Sequence, residues 1–329
     1  MSTRGFVLIV ICVALLALVP LVITSNVVLN FLVVALLIAL VGQGWNVLGG
    51  YGGQYSFGHA AFFGTGAYVT AVLQVRYGVN AWIAFALGIA GGALVGAIVG
   101  GLTFRSGLRG SYFALVTLAF AEVLRILASV APVTGAGVGT LVRLDLRPAS
   151  LQFQSRAAFY WMILALVAIA LIVTQRIERS RFGVWLVAVR ENEDAAAALG
   201  VNATAIKLIA MMISGAITAA AGCFYVQYFL FIDSGLAYGT WISIEALLTP
   251  IIGGVGTVFG PLLGALVVRA MGEAAQVVTG GEAPGLDLVI YGCVLVLIIW
   301  FAPRGLMGGL TQLRSRLFRP APAAKVGHG

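Results

Sequence analysis

The stretch "IEALLTPIIGGVGTVFGPLLGALVV", residues 244–268, decides the fold because it is apolar enough for a membrane and too broken for one helix. Glycine costs about 1 kcal/mol relative to alanine in a helix interior, and proline about 3 kcal/mol. Two short helices, over about 243–252 and 259–272, therefore fit better than one continuous helix; one kinked helix packed in protein is the alternative. At membrane depth the freed backbone must be covered by protein or border a water-filled cavity, and such breaks in transporters often flank the pathway. The disrupting residues are Pro250, Gly253, Gly254, Gly256, Gly260 and Pro261.

Composition places the whole chain among helical membrane proteins. Of its 329 residues, 61% are hydrophobic and 9% are charged, and the mean hydropathy is +1.07. Soluble domains carry about 25% charged residues. The three cysteines lie in apolar runs and are interpreted as small buried residues, not as a disulfide or a metal site. We predict an all-α polytopic membrane protein with a single transmembrane domain over residues 1–329.

Apolar runs of about 20 residues, the length that crosses a bilayer as a helix, predict eight full transmembrane helices. With the two short helices of the broken segment the total is ten. The first run follows Arg4 like a signal peptide, but no small-residue cleavage site follows it, so we expect an uncleaved first helix. The eight runs cover about 6–24, 27–48, 59–76, 81–104, 111–131, 157–177, 206–231 and 286–302.

Lysine and arginine predict the orientation, because cytoplasmic loops carry an excess of both. With the N-terminus inside, 13 of the 19 cations fall in inside segments, 4 in outside segments and 2 within apolar runs. Both termini are therefore predicted to be cytoplasmic, including a basic tail over residues 309–329. The net charge of +8 is interpreted as this orientation signal and not as nucleic-acid binding. The broken segment must then cross the membrane zero or two times.

The stretch "RENEDAAAALG", residues 190–200, concentrates acid in a chain that has little of it. Glu191, Glu193 and Asp194 are three of the 11 acidic residues, and they lie in a predicted cytoplasmic connection over 178–205. An alanine-rich segment follows, and Gly200 is a suitable helix stop. A short helix of this kind can dock into a groove of another protein. A solvated connector is the alternative.

The sequence offers no arrangement of residues for catalysis. It contains neither the glycine-rich loop that cradles nucleotide phosphates nor the H-E-x-x-H motif of zinc proteases. We therefore expect no ATP, metal or other cofactor to be bound by this chain. Glu122 and Arg125, three residues apart in "EVLR", are interpreted as a structural ion pair on one helix face, although charges inside a membrane are functional candidates by default.

The segment "DAAAALG", residues 194–200, resembles the E-A-A-x-x-x-G loop of ABC importer permeases. In that family the loop forms the coupling helix that inserts into the cytoplasmic ATPase subunit. The resemblance places Asp194 at the usual glutamate position and implies a coupling role for the surrounding set. That set is Glu191, Glu193, Asp194, Ala195, Ala196 and Gly200.

Four further segments resemble the branched-chain amino acid permeases of the LivM and LivH group, and residues 107–128 favour the LivM side. The segments cover residues 46–73, 107–128, 243–267 and 301–308, so the resemblance extends over about 27–308. Two segments depart from the family pattern: "TGAGVGT" at 134–140 and "IDSGLAYGT" at 232–240. Both lie on the predicted outer face, where they bear on substrate delivery more than on the fold.

The resemblance implies a permease subunit of an ATP-driven importer in the bacterial inner membrane. Its implied partners are a second, LivH-like permease, two cytoplasmic ATPase subunits that use ATP, and a periplasmic substrate-binding protein. A permease for urea or short amides is the alternative within transport. A membrane-embedded enzyme is the alternative from another class, and the missing catalytic residues disfavour it.

Candidate residues that line the pathway come from two glycine-rich places. Gln54 and His59 flank "YSFG" in the first signature, and either could instead hold that turn to a neighbouring helix. Gly253, Gly254 and Gly256 lie in the predicted helix break, where close backbone packing is the alternative to a wet passage.

Overall fold

The computed structural model describes residues 3–279, 289, 292 and 305–309, and this part of the chain is almost entirely helical. Two strands of two residues, Thr140–Leu141 and Phe231–Ile232, pair antiparallel between the helices. Helix α2 continues without a break into a π-helix, Asn46–Tyr51. The α-helices are α1 Thr3–Val22, α2 Asn26–Trp45, α3 His59–Tyr77, α4 Ala81–Arg105, α5 Gly110–Val130, α6 Arg156–Arg179, α7 Arg181–Glu191, α8 Glu193–Ala198, α9 Ala203–Phe229, α10 Ser234–Ala237, α11 Thr240–Gly253 and α12 Gly260–Thr279.

The predicted fold class, an all-α polytopic membrane protein, is confirmed. Among the described residues, seven stretches are long and apolar enough to cross a membrane. Six of these stretches coincide with predicted full helices; the predicted helix 59–76 is not among them, and Ser234–Gly253 is. The last predicted full helix, 286–302, lies outside the described residues except for 289 and 292, so the total of eight stays a prediction. The basic tail 309–329 also lies outside them, except for Gly309. The seven stretches are Gly5–Val22, Asn26–Tyr51, Ala81–Arg105, Gly110–Val130, Arg156–Arg179, Ala203–Phe229 and Ser234–Gly253.

Helix α3, His59–Tyr77, has nearly the predicted bounds of 59–76, but it is not among the seven stretches that are long and apolar enough to cross a membrane. It begins at His59, whose Nε2 lies 2.9 Å from the Ser214 hydroxyl oxygen. Ser214 is the twelfth of the 27 residues of α9, so α3 starts beside the middle of that helix. The seven residues 52–58, which are not helical, lead from the end of the π-helix into the protein interior. The indole nitrogen of Trp45 holds this segment through a 2.9 Å hydrogen bond to the Ser56 carbonyl oxygen.

Helices α3, α4 and α9 form the core through small residues that bring their backbones together. A Cβ atom on Gly96 would lie 2.8 Å from the Met211 carbonyl oxygen, and one on Gly92 would lie 2.7 Å from the Gly215 carbonyl oxygen. A Cβ on Gly66 would overlap the Ala219 backbone. Lipid gives no hydrophobic drive for helix association, so close backbone packing of this kind holds membrane helices together. Gly66, Gly92 and Gly96, three of the many glycines of the sequence, make this close packing possible.

Candidate translocation and coupling site

The broken segment consists of two helices that turn back on each other. Helix α11 ends at Gly253 and α12 begins at Gly260. Between them Gly254 has a φ of 132° and Gly256 a φ of 71°, conformations that favour glycine. Pro261 is the second residue of α12, where its missing N–H removes no helical hydrogen bond. Two helices, as predicted, replace the alternative of one kinked helix, but α12 has 20 residues and is longer than the short helix predicted over 259–272.

Close packing explains several glycines of this helix pair. A Cβ on Gly253 would overlap the Gly260 carbonyl oxygen, and one on Gly264 would overlap the Thr249 carbonyl oxygen. Gly254 is buried too, and a Cβ there would lie 3.0 Å from the Met307 Cβ. Gly253 and Gly254, two of the predicted pathway residues, are therefore enclosed by neighbouring backbone and side chains. Gly256 is half-buried at the turn itself.

Asn46, the first residue of the π-helix, hydrogen-bonds backbone groups in the turn between α11 and α12 that have no helical partner. Its fully buried amide donates from Nδ2 to the Thr257 carbonyl oxygen at 2.9 Å. Its Oδ1 accepts from the Gly256 N–H at 2.8 Å. A backbone group left unpaired inside a protein costs about 1–3 kcal/mol, so this one side chain stabilises the turn at two points. The sequence signal was a lone polar residue before "VLGG", which gives no indication of its partner.

Arg190 joins the charged stretch 190–200 to the same π-helix. Its Nη1 donates to the Gly50 carbonyl oxygen at 2.9 Å, and its Nη2 lies 2.6 Å from the Glu191 carboxylate. The Arg190 stem also packs over Gly53. Gly50 in turn lies against the break, since a Cβ on it would be 2.7 Å from the Gly256 nitrogen. Arg190 and Asn46 therefore connect the charged stretch to the helix break through the π-helix, a link that sequence reasoning missed.

The other predicted pathway residues lie in and beside the segment 52–58. His59 is fully buried, bonded to Ser214 and in edge-to-face contact with Phe62. Gln54 is half-buried, and its amide bonds the nearby Gly52 carbonyl oxygen at 3.3 Å. In this structure both residues hold local geometry. The exposed side chains of this segment are those of Tyr55 and Phe57.

The predicted coupling stretch forms a short helix seated on the membrane helices. Asn192 caps α8 by accepting from the Ala195 N–H at 2.9 Å, and Gly200 follows the helix with a φ of 86°. The acidic residues Glu193 and Asp194 fill the first turn, where the helix dipole favours negative charge. Gly200 therefore stops the helix by the means that its sequence position suggests.

The acidic and small residues of this stretch divide into an inner and an outer group. Glu193 is 19% exposed and is held by two cations, Lys207 of α9 at 2.6 Å and Arg109 of the α4–α5 turn at 3.1 Å. Ala196 is buried beneath the helix. Asp194 is 84% exposed, and it lies 3.3 Å from Arg109. Glu191, Ala195 and Gly200 are also exposed. Leu199, which was not predicted, presents an 87% exposed apolar side chain at the end of the helix.

Glu122 and Arg125 form a bidentate ion pair on α5. Arg125 Nε donates to Glu122 Oε2 at 2.9 Å, and Nη2 donates to Oε1 at 2.6 Å. Both side chains are open to the surroundings, with 50% of Glu122 and 38% of Arg125 exposed. The pair joins two residues of one helix, and within the described part of the chain it connects no second element.

On the opposite face, a depression of about 710 Å³ opens between the α3–α4 turn and the loop after α5. Polar groups line it, among them Asn80, Arg143 and Arg147. Hydrogen bonds from Arg147, and then from Ser150, lower the pKa of Asp145 to about 2. This loop therefore keeps its mixed charge at any pH near neutrality.

Comparison with known proteins identifies relatives for most of the chain. The family model described as branched-chain amino acid transport system / permease component matches residues 27–299. The LivM high-affinity branched-chain amino acid transport system permease protein of Salmonella typhimurium is 29% identical over 292 residues, which are 82% of this chain and 67% of that protein. LivM of Escherichia coli is 28% identical over the same shares. LivH of Salmonella typhimurium is 25% identical over 151 residues, 46% of this chain and 47% of that protein. No solved structure matches the chain significantly.

Proposed function

Because the chain belongs to the family of branched-chain amino acid transport system permease components, we propose that it is the LivM-like permease subunit of an ATP-driven importer for leucine, isoleucine and valine. Membership of this family makes it a membrane transport protein and not an enzyme. In the proposed assembly a LivH-like permease completes the pathway, two ATPase subunits supply energy, and a periplasmic binding protein delivers the amino acid. The proposed location is the bacterial inner membrane, with both termini in the cytoplasm.

The exposed surface of α8 is the proposed docking site for an ATPase subunit. It carries the charge of Asp194 and the apolar side chain of Leu199 on a helix that Glu193 fastens to α9 and to the α4–α5 turn. A projecting apolar side chain beside a charge suits insertion into a groove of a partner. Force on α8 would reach α9 and the α4–α5 turn directly, because its anchor is a set of ion pairs and not a flexible connection.

A second route for that force starts at Arg190. The carbonyl oxygen of Gly50 accepts from Arg190, and Asn46, four residues earlier, holds Gly256 and Thr257. In this proposal the ATP-driven motion of the cytoplasmic stretch reaches the α11–α12 turn through the π-helix. Alternating access in transporters is largely rigid-body rocking or gating of one helix bundle against another around a binding site that broken helices typically form.

A reversed charge and an added charge on the exposed face of α8 test the proposal. Asp194→Lys and Leu199→Asp are compared with Glu178→Lys, a reversal at an exposed residue near the end of α6. The transporter is purified with its partner subunits and measured for leucine uptake and for ATP hydrolysis stimulated by the loaded binding protein. We expect the two α8 variants to lose ATPase copurification or stimulation while Glu178→Lys keeps both. Equal behaviour of all three variants would remove α8 from the coupling role, and absence of leucine uptake by the unmodified assembly would remove the proposed substrate.

A further inference from the structure

The charged pair on α5 lies where a bilayer would place hydrocarbon. Glu122 is the thirteenth of the 21 residues of α5. At about 1.5 Å of rise per residue it lies about 18 Å along the helix, close to the middle of a hydrocarbon core about 30 Å thick. Around it the exposed side chains of α5 are apolar, including Val123 and Ile126. Charged side chains at this depth almost always face a protein interior or a water-filled cavity.

A purely structural role does not account for this pair. Ion pairs that hold a fold together connect two elements or are enclosed, as Glu193 and Lys207 are. Glu122 and Arg125 lie on one helix and are both substantially exposed. Exposed pairs within one helix contribute only about 0.3–0.5 kcal/mol even in water. Replacing both residues by apolar ones would remove two charges that are costly at membrane depth, and the protein would lose little stability.

A second observation places one side of α5 beside an irregular segment of the chain. The buried Thr117 hydroxyl of α5 accepts from the Phe57 N–H at 3.2 Å, so this side of α5 borders the segment 52–58. Around the helix, Arg125 lies about 80° and Glu122 about 140° from Thr117. That segment is not helical although it lies beside the middle of α9, and Tyr55 and Phe57 are exposed on it. Backbone of this kind is tolerated at membrane depth only inside protein or against a water-filled cavity.

We propose that Glu122 and Arg125 line the translocation pathway and bind the two charges of the substrate, Glu122 the α-ammonium group and Arg125 the α-carboxylate. This assignment rests on the proposed function, since a branched-chain amino acid is a zwitterion with an apolar tail. Within the bidentate pair each charge satisfies the other, with atoms 2.6 Å and 2.9 Å apart. A bound zwitterion replaces each partner of the pair by a group of the same charge, and the apolar residues around the pair can contact its apolar side chain. The site therefore recognises any α-amino acid and leaves selection among side chains to the delivering protein.

Thiol labelling tests whether this face is wet, independently of the substrate. In a background with the native cysteines replaced by alanine, Ala119→Cys sits one turn before Glu122 on the exposed face of α5. Ile169→Cys is the matched control, exposed near the middle of α6 among apolar residues. In the assembled transporter we expect a charged thiol reagent to label Ala119→Cys at least about tenfold faster, because ionised reagents do not enter hydrocarbon. Equal rates would overturn the proposal, as would a disulfide or bismaleimide link from Ala119→Cys to the partner permease without labelling.

Paired substitutions test the contact with the zwitterion. The swap Glu122→Arg with Arg125→Glu keeps an ion pair on the helix but exchanges the two charges. At unchanged assembly with the partner subunits, we expect the swap and the neutral pair Glu122→Gln with Arg125→Gln to lower leucine uptake about tenfold or more, the effect of losing a charge-assisted hydrogen bond. Glu122→Asp with Arg125→Lys keeps both charges in place and should retain part of the uptake. Unmodified uptake in the swap would show a structural pair only and overturn the assignment. If the unmodified assembly does not take up leucine at all, the proposed function fails, while labelling of Ala119→Cys still decides whether the pair faces a passage.

Discussion

The ammonium group of Lys207 lies 2.6 Å from the Glu193 carboxylate and 5.1 Å from the centre of the Phe104 ring, so a buried cation of α9 holds the first turn of α8. Lys207 is 2% exposed. Its charge is tolerated there because Glu193 and the face of an aromatic ring both compensate it. The acidic residues of the stretch 190–200 thus have different structural environments, since Glu193 faces inward and Asp194 faces outward.

Removal of Glu193 should destabilise the protein much more than removal of Asp194. Breaking a buried pair from one side leaves an uncompensated charge and costs about 3–5 kcal/mol, whereas an exposed pair contributes about 0–1 kcal/mol. We expect Glu193→Gln to lower the thermal unfolding midpoint clearly and Asp194→Asn to leave it nearly unchanged, measured on detergent-purified protein. Combining Glu193→Gln with Lys207→Met should recover most of the loss. A double variant no more stable than Glu193→Gln alone would contradict this account.

Substitution of Arg190 should separate ATP hydrolysis from transport. Arg190→Gln loses both the charge and the reach to the Gly50 carbonyl oxygen, and Arg190→Lys keeps the charge without the planar group that serves Gly50 and Glu191 together. We expect both variants to transport fewer leucine molecules per ATP hydrolysed, with Arg190→Gln the more severe. The matched control is Arg181→Gln, which removes an exposed charge at the start of α7. An unchanged ratio in Arg190→Gln would mean that the π-helix transmits no motion from this side chain.

Two glycine substitutions should have opposite effects. Gly264→Ala would place a methyl group into the Thr249 carbonyl oxygen and push α11 and α12 apart, whereas Gly101→Ala meets nothing within 4 Å. Overpacking costs about 1–3 kcal/mol, while replacing glycine by alanine in an open helix position gains up to about 1 kcal/mol. We expect Gly264→Ala to lower the unfolding midpoint and Gly101→Ala to keep or raise it. Similar midpoints for the two variants would mean that the two helices do not approach as closely as described.

Labelling from the two sides of the membrane tests the predicted orientation. Leu199 follows α8 and Val138 lies in the loop after α5, and both are strongly exposed. With the N-terminus inside, an impermeant maleimide should reach Val138→Cys from the periplasm and Leu199→Cys only in inside-out vesicles. Labelling of both from the same side would contradict the crossing pattern derived from the 13 inside cations.

The sequence by itself determined the class and most of the helices. Long apolar runs with few charges predict segments at membrane depth, where backbone groups must be hydrogen-bonded within the protein. A helix meets that requirement within one segment, so the predicted helix positions agree closely with the structure. Gly200 and the break after Gly253 were predictable because glycine and proline act through their own backbone. The family resemblance likewise depended on short contiguous motifs, which need no tertiary information.

Tertiary structure decided the partners of the polar residues. Glu193 and Asp194 are adjacent in sequence and both acidic, yet a rotation of about 100° around the helix turns one toward Lys207 and the other toward solvent. Asn46 bonds residues more than 200 positions later, and Arg190 bonds a residue 140 positions earlier. Hydrophobic periodicity does not predict such pairings. They depend on which helix ends lie close together, and the packing of small residues between helices decides that. For the same physical reason, only the structure shows that α3 begins beside Ser214, since an apolar run predicts where in the sequence a helix begins but not which residue lies beside its start.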